Sequence, residues 1–429
     1  MRARAGDALK PGKEPTVINQ TTLAQAVDRV AEVAAQLGLR LYPTHFELVT
    51  NAELNRLAAY SGMPVRYRHW AFGKEWGHYQ SAYDYRQSRI YEMVVNHDPC
   101  YAFLDRTMPP AQALLVIAHV LAHVAYFKSH FAFRCTLDDQ IAHMSRHRRA
   151  MEGFMRNWGE EAVERMLDAG LVLADYTGDS LRAVTDGETA DDLLGYAARF
   201  APDLRPWQRR ILGMIHQEAR YFWPQVMTKI GNEGFATFWH RRILRRMNLH
   251  PTEVVQVAKM NAELVQATPP QLNPYRIGYV MVDGAFQQDG ESGLQRVQSL
   301  LTDLELIRQY CHERETQLAG VSFLAAAQPT QLAWSGVKDR LLKEVEHGGL
   351  PYLEVEHHDV LPAPKTLRLR HRHTGKDLDL SLASEALGLV AREIWHGEIF
   401  LTTRHRGVVH QLRHDGVRCH DETVTETRG

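Results

Sequence analysis

Two histidines, His119 and His123, lie four residues apart in the apolar run ALLVIAHVLAHVAYF (113–127). Residues i and i+4 of an α-helix sit one above the other on the same face, so both imidazoles can reach one divalent ion. Ala118, Val120, Leu121, Ala122 and Val124 surround them, which predicts a helix that is apolar nearly all round and buried. A buried imidazole without a partner costs on the order of 1–3 kcal/mol. Each ring must therefore bond something. A backbone carbonyl or a hydroxyl would serve as well as a metal, and HxxxH spacing alone leaves both readings open.

The elements that would position these rings are legible on either side. RIYEMVVN (89–96) is β-branched and aromatic and reads as a strand, and Pro109 and Pro110 then start the histidine helix. Upstream, LAQAVDRVAEVAAQLG (23–38) has a helical period closing on Gly38, HFELVT (45–50) is a short strand, and NAELNRLAAYSG continues as a helix. From about 150 to 320 the period is helical, with breaks expected near Gly187, Pro224, Pro251 and in ATPPQLNPY (267–275). After about 325, YLEVEHH, TLRLRHRHTGKDLDLSL, GEIFLTTRHRG and VVHQLRHDG read as strands and hairpins, with LASEALGLVAREIW as a helix among them. The fold class is α+β. It comprises a disordered tail (1–17), a mostly helical N-terminal and central core (18–320) and a small α+β C-terminal domain (325–425).

Composition narrows the function classes. The chain has 429 residues, 45% of them apolar, and a net charge of −1. No global field recruits nucleic acid or an anionic membrane, and RHRR (146–149) and HRRILRR (240–246) read as solvated helix faces. Four scattered cysteines (Cys100, Cys135, Cys311, Cys419) form neither a CxxC pair nor a disulfide framework. The N-terminus has no apolar signal region, and no run approaches the roughly 18 apolar residues of a membrane span. A cytoplasmic protein is expected. Histidine is abundant at 23 residues, but many fall in charged surface-like runs such as EHHD and RHRH.

A strand followed by a buried HxxxH helix resembles the order of elements in zincin metallopeptidases, whose edge strand pairs with substrate beside the metal helix. GNEGFATFWH (231–240) resembles the NEGFA segment of gluzincins, whose glutamate is the third zinc ligand; here it is Glu233. The bland reading of Asn232-Glu233-Gly234 is a helix start with an acidic first turn. His240 lies seven residues after Glu233, about 10.5 Å along a helix axis, and is placed with Asn232 outside the ligand set or at a second site. One residue is missing. Zincins carry a glutamate directly after the first histidine as general base, and this chain has Val120. Glu92, on the preceding strand, is the nearest replacement by chain order, although taken alone it reads as an unpartnered surface carboxylate.

LYPTHFELVT, MPVRYRHWAFGKEW, RIYEMVVNHDPCYAFL, AHVLAHVAYFKSHFAF, PWQRRI…YFWPQ, NEGFATFWH and LNPYRIGYVM together resemble the stage V sporulation protein R (SpoVR) family, in order from about residue 25 to 285. The resemblance implies a bacterial cytoplasmic protein tied to spore cortex (peptidoglycan) assembly or to stationary-phase and stress responses. It also implies association with a PrkA-type serine kinase and a YhbH-type protein. The chain departs from the family pattern at Ala122, where glycine is usual, and at Gly170 and Leu171, where the family has a Cys-His pair. If that family histidine binds metal, this chain has lost it. Two functions follow. One is a zinc (or similar divalent metal) site of His119, His123 and Glu233 for metal-assisted hydrolysis or transfer. The other is a non-catalytic scaffold with a vestigial site, binding partners through its C-terminal domain.

Overall fold

The run around His119 and His123 forms helix α4 (Pro110–Ser129), entered from Pro109 in the extended conformation and closed at His130. In the computed structural model, residues 17–84, 91–136, 139–177, 191–266, 272–321, 324–325, 328–331, 333–356 and 366–424 are described. Residues 1–16 of the expected tail (1–17), the break near Gly187 and residues 267–271 of the expected break in ATPPQLNPY lie outside them. Before α4 come α1 (Gln20–Gln36), β1 (Thr44–Val49), α2 (Asn51–Ala59), α3 (Trp70–Asp84), β2 (Glu92–Val95) and β3 (Cys100–Asp105). After it come α5 (Gln140–Trp158), α6 (Glu160–Val172), α7 (Leu193–Phe200), α8 (Pro206–Met227), α9 (Lys229–Arg246), α10 (Pro251–Leu264) and α11 (Pro274–Ser299). The chain continues through α12 (Asp303–Tyr310), α13 (Glu313–Ala319), β4 (Leu324–Ala325), β5 (Gln328–Gln331), α14 (Trp334–Val345), β6 (Leu353–Val355) and β7 (Thr366–His371). It closes with α15 (Leu380–Val390), β8 (Glu398–His405), β9 (Val408–His414) and β10 (Cys419–Val424). The class is mixed α+β, mostly helical, with a small C-terminal sheet.

Helix α4 is the axis of the larger apolar cluster. Residues 113–127 are all buried, and they pack with α1, the β1–β3 sheet, α9, α11, α12 and α14. Among the described residues α4 is long and apolar enough to cross a membrane, contrary to the expectation from the sequence. Two histidines do not outweigh thirteen apolar neighbours. Yet 89% of its apolar stretch is buried inside the protein, which makes it a core helix. The three-stranded sheet beside it has the order β1-β3-β2, with β1 parallel and β2 antiparallel to β3. Strand β2, which carries Glu92, is therefore at the sheet edge.

Helices α9 and α11 cross at backbone contact. A methyl group added to Gly234 would overlap the backbone of Gly278, and one added to Gly278 would overlap the carbonyl of Ile230. The start of α9 is tied down separately. The buried Asp303 carboxylate accepts from the Ile230 and Gly231 backbone N–H groups at 2.9 and 2.8 Å, filling two of the donor positions every helix start leaves open. Asn232 and Glu233 thus sit one turn inside α9 rather than at its start.

The C-terminal strands form one five-stranded sheet in the order β10-β9-β8-β7-β6. Strands β7 and β8 are parallel, so the segment read as a hairpin is a crossover through α15. Leu367, Leu369, Ile399, Leu401 and Trp395 share a single apolar cluster with Leu167, Leu194, Ile211 and Leu212 of α6–α8. The core thus crosses the sequence boundary read near residue 325. Pro224 does not break its helix. It lies in the last turn of α8, where it removes one backbone bond, and buried Tyr221 and Trp223 hold that turn in place.

The helix crossing gives a paired prediction. Gly234→Ala is expected to lower stability by about 1–3 kcal/mol through overpacking. Gly213→Ala, on an exposed part of α8 with nothing within 4 Å, is expected to raise it by ~0.5–1 kcal/mol. Urea denaturation of both variants measures this, and equal effects would contradict the close crossing.

Candidate metal centre

Helices α4 and α9 face each other, and their polar residues meet in one place. The His119 and His123 rings stand perpendicular, with Nε2 atoms 3.0 Å apart. Glu233 Oε2 lies 3.2 Å from His119 Nε2 and 3.4 Å from His123 Nε2. Both histidines are buried, and the Glu233 side chain is 21% exposed. Among the described residues these three form the group whose ligand atoms converge closely enough to hold one ion.

The outer nitrogens fix the protons. His123 Nδ1 is 2.8 Å from Asn232 Oδ1, which can only accept, so His123 Nδ1 carries hydrogen and donates. His240 Nε2 is 2.9 Å from Asn261 Oδ1 and donates likewise. Burial, and next the neighbouring His119, push His240 down to about 3. It is neutral, and its Nδ1 is bare. That nitrogen lies 3.0 Å from His119 Nδ1, which must then be the donor. Both inner Nε2 atoms are left presenting lone pairs to each other and to a carboxylate oxygen. Such an arrangement is stable only around a positive charge, either a proton or a metal ion.

The electrostatics reflect this. Burial acts to lower His123, but Glu233 and Asn232 outweigh it, and the ring is raised above its ordinary value. His119 is lowered, by burial and then by His123. Burial opposes the Glu233 carboxylate, yet His123 and His119 hold it well below the usual carboxyl range. Of the two rings, His123 is the one whose surroundings favour a proton when no metal is bound.

Glu92 is not a lone surface carboxylate. It is half-buried at the start of β2, and burial, reinforced by the Glu233 charge, raises it to about 7, with His123 opposing. Val120, directly after His119, is fully buried in the apolar cluster. Leu171, where the sequence departs from the expected Cys-His pair, packs against the other cluster, with α6–α8, and is not part of this ligand set. Tyr275, not singled out from the sequence, has its ring 5.8 Å from that of His119. Its phenol is raised well above its ordinary value by the Glu233 carboxylate, then by burial and Glu92. Its one sequence signal is its place after Asn273-Pro274, a helix start. Asn261 lies on a helix with no buried residues and carries no signal.

A family model described as "SpoVR like protein" matches residues 18–188 and 177–310. The chain is also 27% identical over 313 residues to "Uncharacterized protein YcgB" of Escherichia coli (strain K12), covering 59% of this chain. The match spans 61% of that relative's length, less than two thirds. No solved structure matches.

The raised Glu92 carboxyl has a testable consequence in protein stripped of metal by a chelator. The fold favours the protonated form, so ionising Glu92 costs stability as pH rises from its ordinary value of 4.5 to about 7. The full cost persists above that. Glu92→Gln is expected to match wild type near the lower limit and to exceed it by on the order of 1–3 kcal/mol at high pH. Urea denaturation across this range is the measurement, and a difference independent of pH would contradict the placement of Glu92.

Proposed function

Because the chain belongs to the SpoVR-like protein family, we propose that it uses His119, His123 and Glu233 to hold one zinc or similar divalent ion, and that the site is zincin-like and hydrolytic. The observation that carries this reading is the convergence of two bare imidazole nitrogens and a carboxylate oxygen within 3.4 Å. Two nitrogens and one oxygen with an open fourth position make the donor set of a catalytic rather than a structural zinc site. Asn232 and His240 orient the two rings through their Nδ1 hydrogens, as partners of metal-bound histidines commonly do.

The ion would supply a Lewis acid that polarises a carbonyl and lowers the pKa of water. The chain's own residues supply the rest. Glu92 stands in for the missing glutamate after His119. Its carboxylate takes a proton from the attacking water and returns it to the leaving group. Tyr275 donates a hydrogen bond to the oxygen on which negative charge develops. The free edge of β2 offers backbone groups to an extended peptide. The bond cleaved or transferred is that of a peptide or peptidoglycan precursor, in the spore cortex, stationary-phase or stress setting that the sequence resemblance implies. Cytoplasmic location and kinase association belong to the same proposal. The rival reading is a scaffold in which a proton permanently fills the site. The buried Val120 favours it, because that position offers no base.

Protein purified without chelator or metal-affinity tag is expected to carry about one equivalent of zinc or a similar ion. His119→Ala/His123→Ala should carry none, as read by elemental analysis. Unchanged metal in the double variant would remove the ligand assignment. On peptide or muropeptide substrates, Glu92→Gln is expected to lower kcat by roughly 10²–10⁴-fold while metal content stays constant. A wild type that takes up no metal and cleaves none of them supports the scaffold.

A further inference from the structure

The C-terminal sheet and the helices above it enclose a second space, in the other apolar cluster. It is a cavity of ≈ 300 Å³ between β6–β8, α15, α7 and the end of α6. Its floor is aliphatic, because alternate residues of neighbouring strands (Leu353, Leu367, Ile399) point the same way. Its roof is α15, which contributes residues from Leu382 to Val390, a length of about 12 Å at 1.5 Å per residue. The roof is thin because Ala383 and Ala386 fill little of it.

Protein interiors rarely leave voids larger than a water, and an apolar void does not hold ordered water because it offers no partners. The one charged group on the wall is Asp379, whose carboxylate is already engaged, accepting from the Ser381 and Leu382 backbone N–H groups. A peptide segment would bring a row of N–H and C=O groups, and beyond the hydroxyls of Tyr176 and Tyr196 and the Asp379 carboxylate the lining side chains are aliphatic and satisfy none of them. An aliphatic chain brings none. Leu382, which lines the cavity and is 64% exposed, marks where the chain meets solvent. The Asp379 charge beside it disfavours an anionic head group.

We propose that this cavity binds a medium-length aliphatic chain, fatty alcohol or acyl ester in type, with its uncharged head at the Asp379–Leu382 end. The site is independent of the histidine centre, and its test needs no metal.

The experiment is equilibrium dialysis of the full chain against radiolabelled 1-decanol and decanoate. Wild type is expected to bind decanol saturably at one per chain and decanoate at least several-fold more weakly. Asp379→Asn, which keeps the helix cap, should narrow that gap. Ala386→Phe fills the space and should weaken decanol binding tenfold or more while the melting temperature holds or rises. If that variant does not fold, Ala383→Leu is read in the same way. His119→Ala/His123→Ala should bind decanol as wild type does. No saturable decanol binding by wild type would overturn the proposal. So would binding unchanged in the folded cavity-filling variant, or displacement by an amphipathic peptide rather than by a second alcohol.

Discussion

Two imidazole nitrogens and a carboxylate oxygen, held within 3.4 Å of one another between two largely buried helices, require a positive charge among them. Most of what surrounds them serves to hold that arrangement. The backbone contact of Gly234 with Gly278 fixes the depth of α9 against α11, one residue from Glu233. Asp303 holds the first turn of α9. Among the described residues, the hydrogen-bond partners of the two α4 histidines are each other and residues of α9.

The same geometry accounts for both readings of the protein. A proton on His123 satisfies the three acceptors in the absence of metal, and a divalent ion would displace it. Metal uptake is therefore coupled to proton release. The scaffold and the enzyme differ only in which cation occupies the centre, and the fold permits either. In the proposed enzyme the base would come from a different place than in the usual zincin pattern. The position after His119 is sealed in the core, while the carboxylate that senses Glu233 and His123 comes from the sheet edge.

The convergence of His119 and His123 could be read from the sequence because helical spacing is rigid, whereas Glu233 came from the resemblance of its segment to NEGFA. A separation of four places His119 over His123, and a separation of seven sends His240 along α9, where it meets His119 from behind. Glu92 was identifiable by chain order alone, and its burial was not, because that depends on helices more than a hundred residues away. Tyr275 and Asn261 reach the centre from segments whose local pattern says only "helix". Spacing also failed where tertiary packing overrides local preference, as at Pro224, kept helical by buried aromatic neighbours. In the C-terminal region the alternation of strands was plain. The parallel pairing of β7 with β8 and the core they share with α6–α8 were not, since alternation says nothing about partners.

The most direct measurement is a zinc-edge anomalous map from crystals of the metal-loaded protein. One peak is expected between α4 and α9, about 2.0–2.2 Å from His119 Nε2, His123 Nε2 and a Glu233 oxygen, with Asn232 and His240 still bonded to the Nδ1 atoms. A map with no peak there, and the two Nε2 atoms still 3.0 Å apart around a proton, would contradict it.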